Sequence, residues 1–308
     1  MTGSGTGLRL GGLALAVVAA FGGAYGIGKV VGPVAAEPVP VAQAHDGMTD
    51  EAADGHGDTH GGAVAVGVPK GLQVSEGGVT LDVLTGGLTT GRTADFAFRI
   101  LDEDGHAVTA FQPTHDKLMH LVVARRDLSG FQHVHPEMAA DGTWRIPLTF
   151  ASAGDFRVFA DFQRAGEDEG HTLGADVPVA GAYAPAPLPP AALTAEVGDY
   201  RVTLSGELTP GTTSRLTLSV DRGGEPVTDL QPYLAAYGHL IALRQGDLAY
   251  LHVHPDGEPG DGKTPPGPAI VFYAEVPTAG TYRLYLDFRH GDVVRTAEFT
   301  AVAGGHGH

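Results

Sequence analysis

The chain has 308 residues, 36 Asp and Glu against 19 Lys and Arg for a net charge of -17, and no cysteine. That length suits two domains with flanking segments, and the negative charge repels nucleic acid phosphates and anionic headgroups, so nucleic acid is not an expected partner. Without thiols there are no disulfides, thiolate nucleophiles, iron-sulfur clusters, cysteine-based zinc sites or lipobox-type anchors. Glycine at 46 residues and proline at 21, with few long runs of helix formers, point to short elements joined by turns and hence to an all-β body.

Residues 1–36 read as a signal or membrane anchor. Leu10 to Gly28 is uncharged and apolar between Arg9 and Lys29, long enough to cross a bilayer. Val34-Ala35-Ala36 is an acceptable signal-peptidase site and Ala42-Gln43-Ala44 a cleaner but more distant one. An uncleaved anchor and a cleaved signal both stay open; either places the protein on the outer face of the cell membrane or in secreted form. Residues 37–72, rich in Gly, Ala, Asp and His, read as a flexible stalk. Two β-sandwich domains are expected over 73–180 and 193–303, with 181–192 an alanine-proline linker of the kind that spaces domains semi-rigidly. Residues 304–308 form a His-rich tail. Its His306 and His308, with His45, His56 and His60 of the stalk, are a compositional signal for loose metal buffering or for a merely solvated tract.

The two expected domains are copies. Sliding the chain by 119 positions aligns Leu101 to Pro136 with Val220 to Pro255 without a gap, and 13 of the 36 positions are identical, an internal duplication. Within each copy the apolar residues alternate: Phe96, Phe98 and Ile100; Phe156, Val158, Ala160 and Phe162; and Tyr282, Leu284, Leu286 and Phe288. That period of two marks half-buried antiparallel strands. Segments near Val79, Phe96, Leu121, Val134, Ile146 and Val158 suggest about six or seven strands per copy, an immunoglobulin-like or cupredoxin-like sandwich whose strand order the pattern does not decide.

His120, His133 and His135 recur as His239, His252 and His254 at the same spacings, and Pro136 and Pro255 follow each His-x-His. Residues two apart on a strand project to one face about 7 Å apart, so both imidazoles can turn toward one ion. A hairpin through Asp127-Leu128-Ser129-Gly130 brings His120 alongside, on a face set by a register the sequence leaves open. Three neutral imidazoles on a rigid sheet suit copper, or alternatively zinc. The bland alternative is a set of polar residues hydrogen-bonded within a hairpin.

Three further residues are candidates. His115 has Leu234 at its repeat position, so its role would be specific to the first copy. Asp161 and Asp287 match in Ala-Asp-Phe and Leu-Asp-Phe and would either orient a ligand histidine or, sharing a face with Arg157 and Arg283, form surface cross-strand ion pairs. Met119 has Gly238 opposite and is no repeated ligand.

In His120, His133-Val134-His135-Pro136, Gly238-His239-Leu240 and Leu251-His252-Val253-His254-Pro255 the chain resembles actinobacterial exported heavy-metal-binding, copper-associated proteins with tandem sandwiches. The resemblance implies a metal role outside the cytoplasm, with another envelope metal-handling protein as a partner. A more distant similarity is to CopC-type copper carriers, where a cut after Ala44 would expose His45, but the surrounding pattern is missing. The sequence shows no G-x-S-x-G, P-loop or H-E-x-x-H, so no enzyme is expected. The expected function is transition-metal binding with one histidine cluster per copy; the alternative is a tandem adhesion or assembly module with structural histidines.

Overall fold

A computed structural model of the chain describes residues 68–304 apart from His252. The Leu10 to Gly28 segment, most of the stalk, residues 305–308 of the tail and His252 lie outside the described residues. Among those described, no helix is long and apolar enough to cross a membrane.

The chain is all-β, with two tandem β-sandwiches formed by the two copies. In the first, one sheet runs in spatial order Ser75–Glu76, Val79–Val83, Thr93–Leu101, Trp144–Thr149 and Glu137–Met138. The other runs Leu88–Thr89, His171–Ala180, Gly154–Arg164, His120–Arg125 and Gln132–Val134. The alternating residues of the two inner faces, among them Phe96, Phe98, Trp144, Leu121 and Val158, close the core between them. The second copy repeats the first sheet as Thr194–Val197, Tyr200–Ser205, Thr212–Arg222, Ala269–Val276 and Val253–Pro255, and the second as Val293–Ala303, Gly280–His290, Gly238–Arg244 and Tyr250–Leu251, without a strand matching Leu88–Thr89.

The copies agree in register as well as in order. Val123 lies opposite Gln132, and the residues 119 further on, Ala242 and Leu251, are paired in the same way. The gapless sequence alignment conceals one shift in the intervening turn. Arg125 binds Asp127, two residues on, whereas Arg244 binds Asp247, three residues on. Leu128 and Leu248 follow those acids with left-handed φ angles of 66° and 62°. The His171–Ala180 strand had no counterpart among the expected segments, because Gly174 and Pro178 interrupt its pattern. Gly174 is required there: a Cβ would collide with the Gly71 carbonyl and the Arg157 guanidinium.

A semi-rigid linker implies two separated bodies, and the structure departs from that. Every residue of His120–Arg125 is buried, because the face turned away from its own core meets the other copy. Val122, Ala124, Leu128 and Phe159 pack against Ile241, Leu243, Leu248 and Tyr285, all 3% exposed or less. Each residue of the first set is the repeat counterpart of one in the second, so the interface has the reciprocity of a two-fold dimer within one chain. Phe131 stacks on Tyr285 at 3.9 Å between centroids, while Tyr250 lies against Phe159 at 5.6 Å. The linker runs along this seam, with Leu188 packed against it and the Ala186 N–H donating to Asp127. Lys70 to Leu72, the end of the segment read as stalk, bonds both copies: the Tyr250 N–H donates to the Lys70 carbonyl, and Gly71 N–H to that of Thr172.

Tyr285 is fully buried in the seam and donates its hydroxyl to the Leu128 carbonyl at 2.6 Å. Tyr285→Ala is expected to cost about 3 kcal/mol of unfolding free energy in urea melts, against less than about 0.5 kcal/mol for Val294→Ala at an exposed strand end. Equal, small losses would mean that the copies do not pack through this face.

Candidate metal centre

The seam's polar end gathers the histidines. His120 opens the His120–Arg125 strand, and His133 lies opposite Val122 on the neighbouring one. Both therefore leave the sheet on the face that meets the second copy. His135 follows just beyond the Gln132–Val134 strand, where the chain crosses to Glu137–Met138 in the other sheet. The three imidazoles converge: His120 Nδ1 lies 3.1 Å from His133 Nε2 and 3.2 Å from His135 Nε2. All three ligand atoms lie within 4.8 Å of one another, a group that could hold a metal ion.

The outer nitrogens determine what the inner ones present. His120 Nε2 lies 2.9 Å from the Thr114 carbonyl, and His133 Nδ1 lies 2.8 Å from Asp287 Oδ2. A carbonyl and a carboxylate only accept, so the hydrogen-bond network assigns the proton of each imidazole to that outer nitrogen. With one proton on each ring, His120 Nδ1 and His133 Nε2 then face each other with lone pairs. Such a contact repels on its own and becomes attractive around a cation. Nitrogens bound tetrahedrally at about 2.0–2.1 Å would be roughly 3.3 Å apart, close to the 3.1 and 3.2 Å that separate His120 from the other two.

Burial keeps His120, His135 and His239 neutral. It lowers His120 to about 2, assisted by His133, and His135 to about 3, again with His133 as the next contributor. His239 is lowered to about 4 by burial and then by His115. The carboxylate that holds His133 comes from the other copy. Asp287 and His133 side chains are each 4% exposed, and Thr296 donates to the second Asp287 oxygen at 2.6 Å.

The nine candidate residues are therefore placed unequally. His120, His133 and His135 converge. His239 joins from the second copy, its ring 6.4 Å from His120 and 6.2 Å from His133, with Nε2–H donating to the Leu234 and Tyr233 carbonyls. His115 stands on an exposed turn with its ring 5.0 Å from that of His239. His254 is exposed on Val253–Pro255, a strand of the second copy's other sheet, and His252 lies outside the described residues. Among the described residues, one three-histidine group forms.

The surface ion-pair reading of the two acids is corrected here. Arg157 pairs with Asp176 and Arg283 with Glu298, leaving Asp287 for His133. Asp161 accepts from Thr172, and burial raises its carboxyl. The shared face was legible from alternation, but that face is covered by the other copy. Two contributors had no sequence signal. The turns at His115-Asp116 and Leu234-Ala235 place both central residues at positive φ, 49° and 63°, then 55° and 59°, without the Gly or Asn that marks such turns. Their strain holds the Thr114, Tyr233 and Leu234 carbonyls toward the histidines.

A family model described as "Domain of unknown function (DUF8832)" matches residues 73–181 and again 195–305. The chain belongs to this family. The DUF8832 description names no metal and no activity, so the chemistry must come from the site. None of the curated proteins matches the chain. Among solved structures, the Escherichia coli adhesin FdeC is 18% identical, with 75% of this chain and 65% of that one covered at a TM-score of 0.24. Less than two thirds of the adhesin chain is spanned. Domains 5–6 of the S-layer protein SbsC are 11% identical over 74% and 97% of the two chains, TM-score 0.20. Trypsin-activated α2-macroglobulin from Escherichia coli is 14% identical over 76% and 16%, TM-score 0.25. Scores this low carry neither fold nor function, and the DUF8832 architecture stands on its own strand pairing.

Neutral buried imidazoles make the metal-free protein acid-sensitive. The unfolded chain takes up protons near the ordinary imidazole value of 6.5, while the folded values of His120, His135 and His239 lie lower, so stability falls as pH drops below about 6.5. Urea melts in chelated buffer should lose about 1 kcal/mol or more between pH 6 and pH 5. An unchanged midpoint would show that these rings are not held neutral.

Proposed function

We propose that this protein binds a transition metal, copper in preference to zinc, outside the cytoplasm, and that it is not an enzyme. One observation carries the reading: His120 and His133, each with its proton drawn outward to an acceptor, bring bare nitrogens within 3.1 Å of each other, with His135 completing the group. Three imidazoles without a thiolate suit Cu(II), which also stands above zinc in intrinsic affinity for nitrogen sites. The apolar Leu10 to Gly28 segment supports export, as an anchored or released protein, with a membrane contact at that segment only. An envelope metal-handling protein is the partner such a site would serve.

The finer fold assignment is immunoglobulin-like rather than cupredoxin-like. Its support is the strand order, a four-strand path through Val79–Val83, Thr93–Leu101, Trp144–Thr149 and Glu137–Met138 facing one centred on Gly154–Arg164. His239, His252 and His254 belong to the same proposal as a second, weaker locus, since the duplication supplies the residue types and His239 lies beside the first group.

Isothermal titration of the metal-free full chain with Cu(II) at pH 7.5 should show one tight equivalent. A His133→Ala, His135→Ala double variant should lose it, and a His252→Ala, His254→Ala variant should keep it. A wild-type chain that takes up no copper and no zinc overturns metal binding and leaves the adhesion or assembly module.

A further inference from the structure

The second copy contributes to the first copy's site through one side chain. His133 sits on the edge strand of one sandwich, and Asp287 on a central strand of the other. Their hydrogen bond crosses a seam from which solvent is excluded, both side chains being 4% exposed. A carboxylate behind a metal-bound imidazole fixes its tautomer, orients the ring and makes its inner nitrogen a stronger donor, typically worth 10–100-fold in affinity. Asp287 is itself held, since Thr296, directly across the ladder, donates to its other oxygen.

We propose that Asp287 is the positioning residue for the histidine site, so that the metal centre belongs to the docked pair of copies and not to the first copy alone. The inference rests on the metal reading above. The ligand class is a divalent cation that favours imidazole nitrogen, as Cu(II) does. Separation of the copies would leave His133 free to rotate and to exchange its ring proton between the two nitrogens, and affinity would fall. By linkage the reverse holds: a bound cation strengthens the docking of the copies by the same factor by which docking strengthens binding. The apolar seam of Val122, Phe159, Ile241 and Tyr285 thus does more than bury surface. It delivers one copy's carboxylate to the other's ligand.

The test is Cu(II) titration of the metal-free full chain, with electron paramagnetic resonance on each copper-loaded protein. Three variants are compared with wild type. Asp287→Asn keeps the shape and an acceptor oxygen but removes the charge; it should bind 10–100-fold more weakly, with shifted copper hyperfine parameters. Thr296→Val keeps the charge and frees the carboxylate, and should weaken binding several-fold; it also serves if Asp287→Asn does not fold. Tyr285→Phe loses the Leu128 hydrogen bond on the same strand without touching His133 and should match wild type in affinity and spectrum. Wild-type copper binding with unchanged affinity and spectrum in a folded Asp287→Asn or Thr296→Val overturns the positioning role. Equal weakening in Tyr285→Phe also overturns it, by making the effect one of general interface stability. A wild type that binds no copper overturns instead the metal reading on which the inference depends.

Discussion

The central strands of each sandwich are apolar on both faces, and the molecule follows from covering the second one. Leu121 and Val123 enter the first copy's core, while Val122 and Ala124 point the other way and would meet water in an isolated sandwich. At about 25 cal/mol per Å² of apolar surface, leaving such a face wet is costly. The duplication supplies a cover of matching shape, because Ile241 and Leu243 face outward on the second copy for the same reason. Isologous packing then decides which polar groups share the dry end of the seam.

Those polar groups are histidines and carboxylates, a combination that is unfavourable in a dry environment unless each is partnered. The protein partners the outer nitrogens with backbone carbonyls and a carboxylate and leaves the inner ones aimed at a common point. Part of the cost sits in the backbone. The His115-Asp116 and Leu234-Ala235 turns hold non-glycine residues in a left-handed conformation, at of order 1–3 kcal/mol each. In both copies the result is a carbonyl presented to the first histidine of the set. The strained turn recurs, and in each copy it ends on a buried imidazole.

The copies have diverged around this frame. Phe159 stands where Tyr285 adds a hydroxyl that binds Leu128 across the seam. His115 stands where the second copy has Leu234, and so places an extra imidazole beside His239. The two halves of the interface are alike in packing and different in polar chemistry.

Much of this was legible in the sequence. The 119-residue offset revealed the duplication, the period of two revealed most of the strands, and the recurrent spacing singled out His120, His133 and His135 together with His239, His252 and His254. Continuous apolar runs at Leu121 to Ala124 and Leu240 to Leu243 even carried a sign of burial on both faces. What those runs do not state is what covers the outer face, because burial is a property of the partner surface as much as of the strand. The pairing of His133 with Asp287, 154 residues apart, is decided by how two sheets dock, and no local pattern encodes that geometry. Sequence alone thus determined the copies, most of their strands and the candidate histidines. Tertiary structure decided that one copy's acid would stand behind the other's imidazole, because only the packing of the two apolar faces brings them together.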